Sequence, residues 1–299
     1  MKRNLEITFG TLHKTLFSLI FTKFLSESTF MPYLILYSRM SYDSKILRQT
    51  AQFLGWETLR LETSQMPNWF ELQDTEYALF YTAPSAFHIA RQLSLKLLGC
   101  DAYWLSRLPM EYTKRIIKTI SLKQAKEIDQ SMFIKPSLSK SFQSGVYEKK
   151  NLLQKTLNLP DEMLVLISEP VKWTLEYRCF ILKRKVLTMS VYRRYDQLYN
   201  ENLKSPEEEI QEAKSFIDEV LQDNRVESPP GIVIDVGYIE NRGWAIVESN
   251  QCWASGIYGC EPKKVLESIR GACISMKHLK EEEKRWDFEK HFFAANQKV

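Results

Sequence analysis

The densest apolar patterning in the chain lies between Gly231 and Gly259. Residues 231–236 (GIVIDV) carry β-branched side chains at the spacing of a buried strand. Asn241-Arg242-Gly243 is a turn signal, and Trp244 to Glu248 predicts a second strand returning beside the first. Nearer the start, residues 32–37 (PYLILY) predict a buried strand. Ser44 is then placed to cap a helix through Leu54, with Gly55 to end it. Trp56–Leu61 and Tyr77–Tyr81 predict two more strands, and Ser85–Leu98 a helix with Gly99 at its C-terminal side. Strands alternating with helices argue for a small α/β layer built on a parallel sheet. No G-x-G-x-x-G follows the first strand, so the dinucleotide fingerprint is missing.

Residues 111–128 predict a basic helical link with Arg115 and Lys118 three apart on one side. The plain reading is a solvated helix, the other a phosphate-facing cation. Phe133-Ile134 end a strand at Lys135-Pro136. Residues 164–192 predict three successive strands (LVLISE, EYRCFIL, KVLTMSVY), with Lys183-Arg184 turning between the last two. A helix spans 206–221, capped by Ser205 and opened by Pro206. Glu207, Glu208 and Glu209 complement its dipole, and Ile210, Ala213, Ile217, Val220 and Leu221 make its buried stripe. Pro262 opens a last helix with Val265, Ile269, Cys273 and Met276 on one face. The charged residues 280–299 predict a solvated terminal helix or tail. Leu16–Leu25 is apolar, but flanking and internal lysines make it too short and too charged to span a bilayer, and no small-residue cleavage site follows. Residues 1–30 therefore read as an amphipathic extension, or as residues translated upstream of the natural start.

The 299 residues suffice for two compact domains or one large one, and 44% hydrophobic with 26% charged residues is globular composition. A net charge of +4 permits an anionic ligand without announcing a nucleic-acid binder. The five cysteines are scattered, with no C-x-x-C. That argues against a disulfide framework and a zinc site and suits a reducing cytoplasm. The four histidines lack metal-ligand spacing.

Glu248 and Asn250, two apart on a strand, point to one face, and Asp235 on the partner strand can face the same space. Three oxygen donors on a rigid hairpin suit Mg²⁺, with phosphate completing its shell. The plainer reading is a solvated hairpin with ordinary surface acids, although an acid inside so apolar a strand is costly unless paired. Lys135, at a strand end before a turn rich in Ser and Gly, can meet nucleotide phosphates as a point charge. Lys140 could add a second cation, and Ser137, Ser139, Ser141, Ser144 and Gly145 offer donors, but no Walker A loop is present. Glu176 and Arg178 share a face, where the arginine can fork onto a carboxylate or phosphate; the alternative is a surface ion pair worth little. Backbone groups at Glu169, Pro170 and Val171 could hydrogen-bond an adenine edge, and Arg193 or Arg194 could reach an anion.

In this order the parts resemble the ATP-grasp superfamily: FIKPS with Lys135, SEPV at 168–171, E-Y-R at 176–178, and D-V-G…V-E-S-N at Asp235 and 248–250. Lys135 followed by Lys140-Ser141-Phe142, E-Y-R-x-F and E-x-N-x-x-W-x-S-G-x-Y is similar to the clade named for one arginine and two lysines. The resemblance implies an ATP-grasp fold, two α+β lobes clasping ATP, preceded by a small α/β domain. The domains would then be 31–105 and 106–279, with the extension 1–30 and a charged tail 280–299. It implies a carboxylate–amine ligase using ATP and Mg²⁺ through an acyl phosphate. Lys135 would hold a phosphate, with Lys140 and Glu176 also on the nucleotide side, and Glu169, Pro170 and Val171 would line the adenine pocket. Asp235, Glu248 and Asn250 would hold Mg²⁺, and Arg178 with Arg193 would stabilise the transferring group. The partners expected are ATP, a small-molecule or peptide carboxylate and an amine acceptor, with no membrane and no nucleic acid. Two other readings are a non-catalytic nucleotide-binding module on this fold and a nucleic-acid end-joining enzyme or RNA binder. The missing K-x-D-G motif speaks against the end-joining form. Nothing in 32–98 names the acid or the amine.

Overall fold

A computed structural model describes residues 31–37, 41–195, 197–198 and 205–296; the expectations for 1–30 lie outside the described residues. The first apolar runs become β1 (Tyr33–Tyr37), β2 (Glu57–Leu61) and β3 (Tyr77–Phe80), a parallel sheet in the order β2-β1-β3. Leu34, Ile35 and Leu36 of the central strand are all buried, as expected of a strand covered on both faces. Helix α1 (Tyr42–Phe53) joins β1 to β2, and α2 (Ser85–Gln92) follows β3. Ser41, not Ser44, caps α1. Its Oγ accepts from Ser44 N at 3.1 Å while Ser44 Oγ accepts from Ser41 N at 3.0 Å, a reciprocal capping box.

The predicted helix 85–98 is cut short. It stops at Gln92, and Leu95–Leu97 forms β4. Helix α3 (Trp104–Arg107) and α4 (Met110–Thr113) follow, and Lys114 ends α4 in a left-handed conformation, φ 50°. The basic helix expected over 111–128 is therefore absent. The β-branched run after Arg115 is β5 (Ile117–Ser121), and only Leu122–Lys126 is helical (α5).

An antiparallel sheet in the order β5-β8-β6-β7 takes in β6 (Met132–Pro136), β7 (Gly145–Tyr147) and β8 (Leu164–Ser168). Between β7 and β8 lies α6 (Lys149–Lys155); Leu122, Ile134, Leu152 and Val165 pack this lobe's core. A second antiparallel sheet, β11-β10-β9-β12-β13, is built from β9 (Trp173–Leu182), β10 (Lys185–Arg194), β11 (Gln197–Leu198), β12 (Gly231–Ile239) and β13 (Gly243–Asn250). Lys183 and Arg184 turn between β9 and β10 with φ of 49° and 61°, the sign a tight hairpin requires. Helix α7 (Glu207–Gln222) buries Ala213, Ile217, Val220 and Leu221 as its pattern predicts. Its cap position is Pro206, however; Ser205 Oγ instead accepts from Arg194 at 3.0 Å.

Helix α8 (Pro262–Ala272) crosses β12 so closely that a Cβ at Gly231 would lie 2.4 Å from the Ser268 carbonyl oxygen, an approach only glycine permits. Cys273 and Met276 do not extend its buried face. Cys273–Ser275 is β14, antiparallel to β4, and Met276 is exposed. After a 3₁₀ turn over Glu281–Trp286, α9 (Phe288–Asn296) ends the described chain. It is no solvated tail. Phe288 is 1% exposed and meets Trp253 edge-on at 5.6 Å, and Phe292 meets Phe87 at 5.4 Å. Of the charges between these rings, Lys290 is exposed, while Glu289 is largely covered and ion-paired with Arg91 of α2. All five cysteines are free and buried. Among the described residues no helix is long and apolar enough to cross a membrane.

Candidate functional site

Three neighbouring strands fix the centre of the site. Arg178 on β9 pairs in register with Asp235 on β12, and Asp235 pairs with Glu248 on β13. Residues opposite one another in adjacent strands present their side chains to one face. A register shift after Asp235 adds local twist at that point. Arg178 Nε and Nη2 donate to Asp235 Oδ1 and Oδ2 at 2.9 and 2.7 Å, and Nη1 donates to Gly256 O at 3.1 Å. The guanidinium also lies 4.7 Å from the Tyr192 ring and 5.0 Å from that of Tyr258, contacts a cation gains from aromatic faces. Arg178 is 5% and Asp235 0% exposed, so this is a buried pair, not the surface pair of the plainer reading.

Asn250 Nδ2 donates to Asp235 Oδ2 at 3.2 Å and to Glu248 Oε1 at 3.0 Å. The other Glu248 oxygen is ion-paired with Lys135, which comes from β6 of the four-stranded sheet. The two side chains are 19% and 27% exposed and so face the opening. Burial opposes ionisation of Glu248, but the Lys135 ammonium and the Asn250 amide outweigh it and hold the carboxyl down at about 2. Burial likewise opposes the Arg178 charge, and the Asp235 carboxylate outweighs it and raises the guanidinium pKa.

Glu176, two residues before Arg178, is buried on the same face, with Arg193 Nε 3.8 Å from its Oε1. Burial pushes its carboxyl up to about 7; Arg193 opposes this, while Asp235 and Glu248 add to it. Its folded value lies above the unfolded 4.5. Its contribution to stability is thus complete below pH 4.5 and is lost as pH rises through about 7. Glu176→Gln removes the titration. Relative to the wild type, the variant gains about 3 kcal/mol between pH 4.5 and 8, read from urea unfolding at both ends of that range. Equal pH slopes in the two proteins would refute this.

The remaining predicted residues are dispersed. Lys140 is exposed on the loop between β6 and β7. Glu169 accepts from Arg242 Nη1 at 2.6 Å and Ile116 N at 3.3 Å, and Pro170 and Val171 lie in the link from β8 to β9. Arg194 turns away to Glu209 and Ser205. Arg115 is not on a solvated helix. It is buried, donating to Thr113 O, Ile246 O and Val247 O at 3.0, 2.8 and 2.9 Å, with its guanidinium 4.9 Å from the Trp173 ring. Burial brings its pKa down to about 10, so it remains a cation at neutral pH. Tyr192, Tyr258 and Asp43 were not singled out. Asp43 Oδ2 accepts from Ile257 N at 3.1 Å and so ties α1 to the segment that holds Arg178. The spacing W-x-S-G-x-Y was the available signal for Tyr258.

Glu248 and Asn250 present hard oxygen donors at the opening, once the Asn250 amide turns its oxygen outward. Asp235 stands behind them with both oxygens accepting from Arg178. Among the described residues no group of three or more His, Cys, Asp or Glu is placed to hold a metal ion. A Mg²⁺ at Glu248 and Asn250 would therefore have to take most of its shell from phosphate and water, as that ion commonly does.

Residues 112–268 match the sequence profile of the ATP-grasp domain, R2K clade family 2. Among solved structures, D-cycloserine synthetase DcsG aligns with a TM-score of 0.50 at 10% identity, over 80% of this chain and 98% of that one. A D-alanine–D-alanine ligase from Bacillus anthracis aligns at 0.48 and 12% identity, over 81% and 97%. Macrocyclase MdnC bound with precursor peptide MdnA, from Microcystis aeruginosa, aligns at 0.47 and 12%, over 80% and 98%. The likeness to DcsG is one of fold. No curated protein matches the chain by sequence.

Proposed function

Because the chain belongs to the ATP-grasp domain family, R2K clade family 2, we propose that it is an ATP- and Mg²⁺-dependent carboxylate–amine ligase. The observation that carries this reading is Lys135 of one sheet meeting Glu248 of the other, with Asn250, Asp235 and Arg178 behind them. Residues 106–279 would form the ATP-grasp domain and 31–105 the domain before it.

Phosphoryl transfer asks a protein chiefly for placement and charge stabilisation. Lys135 leaves Glu248 and takes a phosphate oxygen. Glu248 and Asn250 would hold a Mg²⁺, which would supply charge neutralisation on the phosphates. Asp235 locks the Arg178 guanidinium in plane by a two-point contact, leaving N–H groups on Nη1 and Nη2 for an anion. A substrate carboxylate oxygen attacks the γ-phosphorus, the bond to ADP breaks, and an acyl phosphate forms. The amine then attacks the acyl carbon and releases phosphate and a proton. Arg178 and Arg193 stabilise the charge that develops on the transferring group. Glu169, Pro170 and Val171 line the adenine side, with Glu176 and Lys140 flanking the nucleotide. The acid is a small-molecule or peptide carboxylate.

Calorimetry with ATP, in Mg²⁺ and in excess EDTA, tests the nucleotide part, and ADP release across acid and amine mixtures tests the ligase. Mg²⁺-dependent binding and acid-dependent ADP are expected. Absence of ATP binding would overturn the reading. ATP binding with no ADP from any mixture would favour the non-catalytic module, to which the complete engagement of Asp235 by Arg178 already lends weight.

A further inference from the structure

At the carboxyl ends of β1 and β2, against α1, lies a cavity of about 260 Å³. It is lined by Lys45, Arg48 and Arg60, by Ser44, Gln49 and Gln52, and by Leu36 and Tyr37. Among the described residues no carboxylate lines it. The site described above is built on β6, β9, β10, β12 and β13, with Asp43 of α1 at its edge, and none of its named residues lines this cavity.

Lys45 and Arg48 are three apart and so neighbours on one face of α1. Like charges at that spacing repel, and among the described residues neither is joined to an acid. Arg48 Nε is buried with no hydrogen-bond partner. A buried donor left unmade costs about 1–3 kcal/mol, and the repulsion adds to that. Such an arrangement is unfavourable in the empty protein and becomes favourable once an anion enters. The lining combines apolar and cationic groups, the composition of a pocket for a small organic ligand fixed by a few polar groups.

We propose that this cavity binds a small organic anion, a carboxylate or a phosphate monoester, with Lys45 and Arg48 as its principal contacts. Binding here is independent of the nucleotide site and of the ligase reading. The anion accepts hydrogen bonds from Arg48 and Lys45, and its carbon frame rests on Leu36 and Tyr37.

The test is calorimetric titration of the full chain with inorganic phosphate and, separately, with malonate. No nucleotide is added and ionic strength is held fixed, since screening would otherwise mimic a loss of affinity. One saturable site per chain is expected for at least one probe. It should persist within twofold in Lys135→Met, which removes the cation of the triphosphate site, and weaken at least tenfold in Arg48→Gln and in Lys45→Gln. Tighter phosphate marks a phosphorylated ligand and tighter malonate a carboxylate, and either supports the proposal. Lys45 is exposed, so Lys45→Gln keeps the test decisive if Arg48→Gln fails to fold. Melting of the anion-free proteins supplies a second reading. Removing one of two repelling charges leaves Tm unchanged or raised, whereas a structural role lowers it. The proposal is overturned if neither anion saturates, if Lys45→Gln binds like the wild type, if Lys135→Met abolishes binding, or if Lys45→Gln melts lower with its affinity intact.

Discussion

Glu248→Gln is expected to reduce acid-dependent ADP formation on the order of 10²–10³-fold, with the fold intact. The substitution keeps shape and volume, and Asn250 can still donate to the amide oxygen. What disappears is the negative charge that pairs with Lys135 and that, in the proposed function, holds a divalent ion once nucleotide is bound. Calorimetry separates the two consequences. Lys135, no longer paired, is free to meet phosphate, so ATP in EDTA should bind the variant at least as tightly as the wild type. Added Mg²⁺, expected to strengthen binding to the wild type, should strengthen it little in the variant. A variant that turns over ATP normally, or keeps the full Mg²⁺ enhancement, would remove Glu248 from the chemistry.

Arg178→Met should be the more damaging change to the fold. It leaves Asp235 fully buried with no countercharge, and breaking a buried pair from one side costs about 3–5 kcal/mol. The loss is read from urea midpoints. It should shrink in acid, because an unpaired buried carboxyl titrates high and is neutral at low pH. The double variant Arg178→Met/Asp235→Leu separates stability from chemistry. Replacing both partners by apolar groups restores much of the stability, while ADP formation stays at the level of the single variant. Recovery of turnover with recovery of stability would reduce Arg178 to a purely structural part.

What the residues disclosed before any coordinates was local. On a strand, spacing by two fixes a face, so Glu176 with Arg178 and Glu248 with Asn250 could be paired on paper. The structure puts both pairs and Lys135 around one opening. The order of the motifs carried the family, and the family profile confirms it. What stayed hidden depends on partners distant in the chain. Leu95–Leu97 satisfies helical and extended periods equally; Cys273–Ser275, far along the sequence, makes it a strand. Arg115 looked like a helix surface charge because nothing nearby announces the left-handed Lys114 or the three carbonyls that receive its guanidinium. The closing stretch 280–299 read as polar because its charged residues outnumber its aromatic ones, although its phenylalanines pack against Phe87 and Trp253.

That helix has a bearing on timing. Trp253 follows Asn250 by one short turn, donates its indole N–H to Leu98 O at 3.1 Å, and is gripped by Phe288. The wall behind the strand bearing Glu248 is thus finished by residues made some forty codons later. On a translating ribosome the central hairpin can emerge and pair while its backing is still missing. A nascent chain should therefore acquire its cleft late, as the segment around Phe288 and Phe292 leaves the exit tunnel.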